Sequence, residues 1–388
     1  MNIDIMNTMN TGWRHGLVKR SAWKRIKQLA LGAYADPGEA HAASMGFRKV
    51  LDEAHTFRHL TRSVRVGGRN FQLVTSPGFP SPAWDLWIRN ELHRIRPMVG
   101  HTEGLLLAIM AMTKKCPLRC AHCFEWDALN GKEALRVEDV LGMIRKFQER
   151  GVAQIELSGG EPLNRFNDLL AILRGSDRQA TDFWILTSGY RLTSERAGEL
   201  KDAGLTGASI SVDHWSEAEH DRFRGVKGSH EHARMAVKHA REAGLVTAVS
   251  LVPLQSFCRM EDLLRYAEMA HEWGAHFIRL VEPRAVGHFA NKEVELGADH
   301  HELLDEFVRV MHREVRYRHY PIVDHYASYQ RNVGCSGSGK RFAYVDTDGQ
   351  IHACPFCQKP CGSVLHEPLE RLYANMDEAG GCHVHATV

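Results

Sequence analysis

The chain has 388 residues, with 49 Lys plus Arg against 47 Asp plus Glu, so the net charge of +2 carries little information and no nucleic-acid partner is expected. Hydrophobic residues make up 44% and charged residues 25%, the balance of a soluble globular protein long enough for two or three domains. No run approaches the ~18 uninterrupted apolar residues of a membrane span, so no membrane association is expected.

The first thirty residues carry six basic side chains (Arg14, Lys19, Arg20, Lys24, Arg25 and Lys27) against one acid, Asp4, with Trp13 and Trp23 among them. Two readings stand: a peptide-binding face, or a basic amphipathic helix that packs its Trp and Leu side chains on the rest of the fold. LALGAYA, after Lys27, mimics a signal peptide, but its apolar run is short and broken by Gly and Tyr. Further on, SVRVGGRNFQLV predicts a hairpin turning on Gly67 and Gly68. Residues 1–100 are therefore an extension of unrecognised family, with no clear winged-helix leader-binding element.

From about residue 104, short apolar runs alternate with amphipathic helical patterns, as repeated βα units and a parallel sheet require. Six strands are predicted, at 105–112, 153–158, 182–188, 207–213, 246–253 and 276–283. The helical patterns VEDVLGMIRKFQERG and EHARMAVKHAREAG stop at Gly151 and Gly244. Six such units make an α/β fold, a partial (βα)6 TIM-like barrel over residues 101–290, with its site on the loops after the strand C-termini. Residues 291–388 then hold a helix, HHELLDEFVRVMHREVR, and a hairpin pattern, FAYVDTDGQIHAC, turning at Asp348 and Gly349.

Nine cysteines fall mainly in two groups, which argues for metal ligation in a reducing cytoplasm and against a disulfide framework. Cys116, Cys120 and Cys123 form a C-x3-C-x2-C run directly after the first barrel strand, and SGGEP follows at Ser158 to Pro162. Three closely spaced thiolates can hold three irons of a 4Fe-4S cubane on one loop, leaving the fourth iron for a small molecule. Zinc is the alternative, but it usually takes four protein ligands and paired C-x2-C knuckles. The run and the SGGEP stretch resemble the two signature motifs of the radical S-adenosylmethionine (SAM) enzymes. That resemblance implies a partial barrel, SAM on the open iron, and its reductive cleavage to a 5'-deoxyadenosyl radical.

Following the resemblance by position, Gly159, Gly160, Glu161 and Pro162 match the stretch around the methionine amino group. Ser211 and Asp213 match oxygens that bind the ribose or methionyl part, and Arg224 matches an arginine on the SAM carboxylate. Ser188, His122, Val252 and Leu280 take places near the adenine or the remaining polar contacts, although the apolar ones are more often plain core. RLVEPRAVG places Glu282 and Arg284 at the substrate end, where a salt-bridged loop is the alternative reading. Cys258, after strand five, is a candidate hydrogen donor or else a small buried hydrophobe.

Cys335, the hairpin and Cys354 resemble the start of a SPASM or twitch extension, which implies an auxiliary 4Fe-4S cluster. With Cys357, Cys361 and Cys382, five thiols compete for at most four places; a zinc knuckle is the other reading. The resemblance implies a cytoplasmic oxidoreductase supplied by a flavodoxin- or ferredoxin-type donor. Its expected substrate is a ribosomally synthesised precursor peptide, altered by cross-linking, epimerisation or oxidation. A small-molecule dehydrogenase is the runner-up, and a non-catalytic SAM-binding scaffold or sensor is the reading from another class.

Overall fold

In the computed structural model, which describes residues 8–53, 60–337 and 339–378, the six predicted barrel strands all form, a few residues shorter than expected. The chain opens with β1 (Thr8–Thr11), α1 (Gly12–Ala33) and α2 (Pro37–Glu53), then β2 (Arg62–Val66), β3 (Arg69–Phe71) and α3 (Pro82–Ile95). The barrel follows as β4 (Leu107–Ala111), α4 (Val137–Glu149), β5 (Gln154–Ser158), α5 (Phe166–Gly175), β6 (Asp182–Thr187) and α6 (Ser194–Asp202). It continues through β7 (Gly207–Ser211), α7 (Glu217–Arg224), α8 (Ser229–Glu242), β8 (Val246–Leu251), α9 (Met260–Glu272) and β9 (Phe277–Leu280). The C-terminal part is α10 (Ala298–Arg313), β10 (Ile322–Asp324), α11 (Tyr326–Val333), β11 (Phe342–Val345), β12 (Ile351–His352) and α12 (Leu369–Glu378).

These elements follow from local pattern. In α4, Val140, Met143, Ile144 and Phe147 are buried on one stripe, and the helix stops where Gly151 takes φ +82°. Strand β5 is buried at every position because helices cover one face and the barrel interior fills the other. The strands join in the order β10-β9-β8-β7-β6-β5-β4-β11-β12, parallel except for the last pair. Two of these pairings are absent from the sequence reading: β10 extends the barrel beyond β9, and the first hairpin strand, β11, pairs in parallel with β4. The C-terminal extension thus continues the barrel sheet: Cys335 precedes β11 and Cys354 follows the antiparallel β12, both towards the Leu107 end of β4, opposite the end that leads to the Cys116 loop.

The N-terminal segment runs strand, helix, helix, two-stranded wing, with β1 added to the predicted hairpin. Val64, Val66, Phe71 and Val74 pack with Trp184, Val246, Phe277 and Ile322, so this small sheet plugs the barrel's base. Buried Arg62 locks it there, donating to the Met311 carbonyl at 2.8 Å and the Pro321 carbonyl at 2.9 Å. Helix α1 packs on α2 and α3 instead of the barrel, and Trp13 stays 72% exposed. Among the described residues, no helix is long and apolar enough to cross a membrane.

Candidate active site

The loop after β4 begins at Thr113 and is held from four sides. Asn130, with φ +60°, brackets Cys116, accepting its N–H at 3.0 Å and donating to its carbonyl at 3.1 Å. The Glu133 carboxylate accepts the Lys114 N–H at 2.7 Å, and the Arg119 and Ala121 N–H groups reach carbonyls at the end of α7. From beyond β9, His288 bonds the Cys120 carbonyl through Nδ1 and the Cys123 carbonyl through its N–H, both at 2.9 Å. Its ring stacks on Trp126 at 3.7 Å. The sequence reading found none of these supports, although the Asn130-Gly131 dipeptide is an available turn signal. Removing two hydrogen bonds of roughly 0.5–1.5 kcal/mol each, Asn130→Ala is expected to lower stability by about 1–3 kcal/mol in urea denaturation. An unchanged unfolding midpoint would show that the bracket is not needed.

Cys116, Cys120 and Cys123 line a cavity of about 340 Å³ at the C-terminal ends of the strands. Burial pushes the Cys116 and Cys123 thiols up to about 12, so positive charge is needed to hold them as thiolates. Arg224 Nη1 stands 3.4 Å from the Cys120 sulfur. Three thiolates presented on one loop, with Arg224 beside Cys120, suit the three protein-bound irons of a four-iron cluster, one thiolate to each, and the residues fit that group. The neighbouring wall is shaped for close approach: a Cβ on Gly159 or Gly160 would collide with the Thr113 or Lys115 carbonyl. The Ser158 and Ser209 hydroxyls line the same cavity and have no hydrogen-bond partner among the described residues.

The residues matched to SAM contacts divide into two groups. Gly159, Gly160, Ser188, Ser211, His122, Arg224, Val252 and Leu280 line the cavity. Glu161, Pro162 and Asp213 are not among the residues that line it. The Glu161 carboxylate is consumed by the Leu163 N–H at 3.1 Å, the Thr187 hydroxyl at 2.7 Å, and the Ser188 N–H and hydroxyl at 2.9 and 2.5 Å. It braces β5 to β6, and burial pushes its carboxyl up despite those donors. Asp213 pairs with Arg224 at 2.5 Å. Burial alone would raise its carboxyl, but Arg224 and His122 outweigh that and hold it well below the usual range.

Across the cavity, Cys335 and Cys354 also line the wall. The Cys354 and Cys357 sulfurs are 3.4 Å apart; that hydrogen bond holds the Cys354 thiol up and the Cys357 thiol down. The Cys361 N–H bonds the Ile351 carbonyl at 2.7 Å, which places it beside the hairpin. Cys382 lies outside the described residues. Between the two thiol groups, the Tyr344 hydroxyl donates to Glu125, whose carboxyl is pushed up by burial. The sequence reading missed this pair.

Glu282 and Arg284 line the cavity, yet Glu282 is a hub of charge. Its carboxylate meets His325 at 3.1 Å, Arg284 at 3.4 Å, His301 at 3.5 Å, and Arg331. Burial alone would raise it; His325, Arg331 and His301 bring it to about 2. The salt-bridged reading of this loop is therefore the better one, and Glu282 positions other elements. Cys258 does not line the cavity: it sits in the main core, 7% exposed, and burial pushes its thiol up to about 11. That burial is the environment of a small hydrophobe, although the thiol is close enough to Glu282, on the cavity wall, to feel its charge.

A family model described as the radical SAM superfamily matches residues 110–267. The AdoMet-dependent heme synthase of Nitratidesulfovibrio vulgaris is 24% identical over 309 residues, which cover 72% of this chain and 82% of its own length. The PqqA peptide cyclase of Bradyrhizobium diazoefficiens is 28% identical over 267 residues, covering 66% of this chain and 68% of its own. Among solved structures, Streptococcus suis SuiB bound to its precursor peptide SuiA shares the fold, with a TM-score of 0.59 at 14% identity over 77% of this chain and 72% of that one. The family match spans the barrel from β4 into α9 and contains both the thiol loop and the glycine pair against it; on these grounds residues 110–267 form a radical SAM domain.

Proposed function

We propose that this chain modifies a ribosomally synthesised precursor peptide by radical chemistry, with an auxiliary 4Fe-4S cluster facing the same cavity as the SAM-binding one. The observation that carries the reading is the shared cavity, lined by Cys116, Cys120 and Cys123 on one side and by Cys335 and Cys354 on the other. When bound, the cluster and SAM supply a 5'-deoxyadenosyl radical that takes a hydrogen atom from the substrate. The chain's own residues do the rest. Arg224, oriented by Asp213, sets a positive charge beside Cys120, while Ser188 and Ser211 offer oxygens along the wall. Leu106, Leu107, Phe124, Phe342 and Phe356 form apolar surface that keeps water from a reactive intermediate.

Similarity to a peptide cyclase and a fold shared with a precursor-peptide-bound enzyme support a peptide substrate. The heme synthase similarity favours a second reading, a small-molecule substrate. In either case we place the enzyme in the cytoplasm with a flavodoxin- or ferredoxin-type electron donor.

The test is anaerobic reconstitution with SAM and dithionite. Wild-type protein is expected to release 5'-deoxyadenosine and to bind about eight irons, two clusters of four. Cys335→Ala or Cys354→Ala should lose the auxiliary cluster's spectroscopic signal and substrate turnover while still cleaving SAM without substrate. Full iron content in both variants would remove the auxiliary cluster from the reading.

A further inference from the structure

One cation on the cavity wall belongs to neither thiol group. Arg279, on β9, reaches across the barrel interior to β5, where its Nη1 meets both oxygens of the fully buried Glu156 carboxylate at 3.0 Å. Its Nε and Nη2 have no acceptor among the described residues. Two hydroxyls on the same wall are in the same state. Ser158, two residues beyond Glu156 on the same face of β5, is 4% exposed and Ser209, on β7, is 2% exposed, and neither oxygen has a hydrogen-bond partner among the described residues. We propose that Arg279, Ser158 and Ser209 form a substrate subsite that holds an uncharged carboxamide. The proposal rests on the peptide reading above and names the group by which the peptide is held.

Position supports it. Glu156 is in register with Ile109, midway along β4, and Ser158 with Ala111, at the end that leads to the Cys116 loop. Cys335 and Cys354 lie towards the other end of that strand. A group held by Arg279 and the two serines therefore stands, along the barrel, between the levels of the two thiol groups. None of the three residues is among those matched to SAM.

Charge decides the class of ligand. Glu156 already balances Arg279, so an entering carboxylate would set two anions against one guanidinium, and an ammonium would meet a like charge. Asp324, in register with Arg279 on β10, adds no free anion: its Oδ2 accepts the Val74 N–H at 2.9 Å, and burial pushes its carboxyl up. An uncharged group escapes both penalties. What remains on Arg279 is a two-donor edge that suits a carbonyl oxygen with its two lone pairs, and the serine oxygens can accept from an amide N–H. An aliphatic group would leave all of these groups unpaired. Two sources carry the carboxamide chemistry, an Asn or Gln side chain and a backbone peptide group.

A randomised library of capped hexapeptides, incubated with reconstituted holoenzyme, SAM and dithionite, separates them when the altered peptides are identified by mass spectrometry. If a side chain is held, Asn or Gln is expected to be enriched about tenfold at one position relative to the altered residue, the low end of what a hydrogen bond to a charged donor gives. If the backbone is held, that enrichment is missing, and replacing the peptide bonds of an altered sequence one at a time by esters lowers turnover about tenfold at one position only. Arg279→Lys keeps a cation against Glu156 but removes the two-donor edge, and Ser209→Ala removes a hydroxyl that ties no other residue; either should flatten the preference, with melting curves reporting that both fold. Neither enrichment nor an ester-sensitive position, or a preference that both variants leave intact, would overturn the subsite. If 5'-deoxyadenosine is released but no peptide changes, the peptide reading fails separately. Holoenzyme crystals soaked in acetamide then decide: acetamide on Arg279 and Ser209 that is lost in Arg279→Lys supports a carboxamide subsite for another substrate, whereas no acetamide in the wild type, or acetate bound in its place from an equal mixture, refutes it.

Discussion

Replacing Cys116, Cys120 and Cys123 together by Ala is expected to halve the iron bound after anaerobic reconstitution, from about eight atoms to about four, and to abolish release of 5'-deoxyadenosine. The loss should be complete because all three thiolates go at once: His122, which the loop also carries, is turned to Asp213 at 3.6 Å, and the loop's contacts to Asn130, Glu133, Arg224 and His288 are made through backbone groups or are directed at the cysteines themselves. Those supports remain in the triple variant, so its fold should persist. The two thiol groups sit on different elements, one after β4 and the other around the β11–β12 hairpin, and each should keep or lose its iron independently. Iron and sulfide determination with electron paramagnetic resonance checks this. A triple variant that retains all its iron would mean that the loop is not the cluster site.

Glu282→Ala is expected to lower stability at neutral pH by roughly 3–5 kcal/mol, the effect of stripping a buried charge from its partners. Glu282, at the end of β9, ties together His301 on α10, His325 at the end of β10 and Arg331 on α11. Without it, His301, His325 and Arg331 lose their shared partner, and α11, which leads into Cys335, loses its tether. The pH dependence distinguishes this account from simple loss of packing. The folded-state carboxyl is depressed to about 2 from its usual 4.5, so its contribution is present above about pH 4.5 and is lost as pH falls towards 2. The stability gap between wild type and Glu282→Gln should therefore shrink by more than half between about pH 7 and pH 3, measured by denaturant unfolding. A gap that stays constant over that range would assign Glu282 a role in packing alone.

The sequence by itself determined whatever depends on spacing along a short stretch. Cys116, Cys120 and Cys123 lie within eight residues, so one loop presents them together whatever surrounds it. The six barrel strands and the hairpin were legible because burial repeats with a period of two or as a continuous run, and Gly67, Gly151 and Gly244 mark turns where φ is positive. Arg224 was found only through resemblance; nothing in its neighbours shows that it turns inward onto Asp213. Tertiary structure alone decided the rest. Glu282 draws partners from three later elements, and Glu161 is spent on residues of β6, so the role of each carboxylate depended on donors far away in the chain. Cys258 sits at the head of a helix after a strand, as a catalytic thiol might be expected to, but only the packing shows that it faces the core. The same holds for β11 pairing with β4 and for the small sheet under the barrel. Each is a contact between segments that local periodicity describes separately and that meet only when the whole chain has buried its apolar surface.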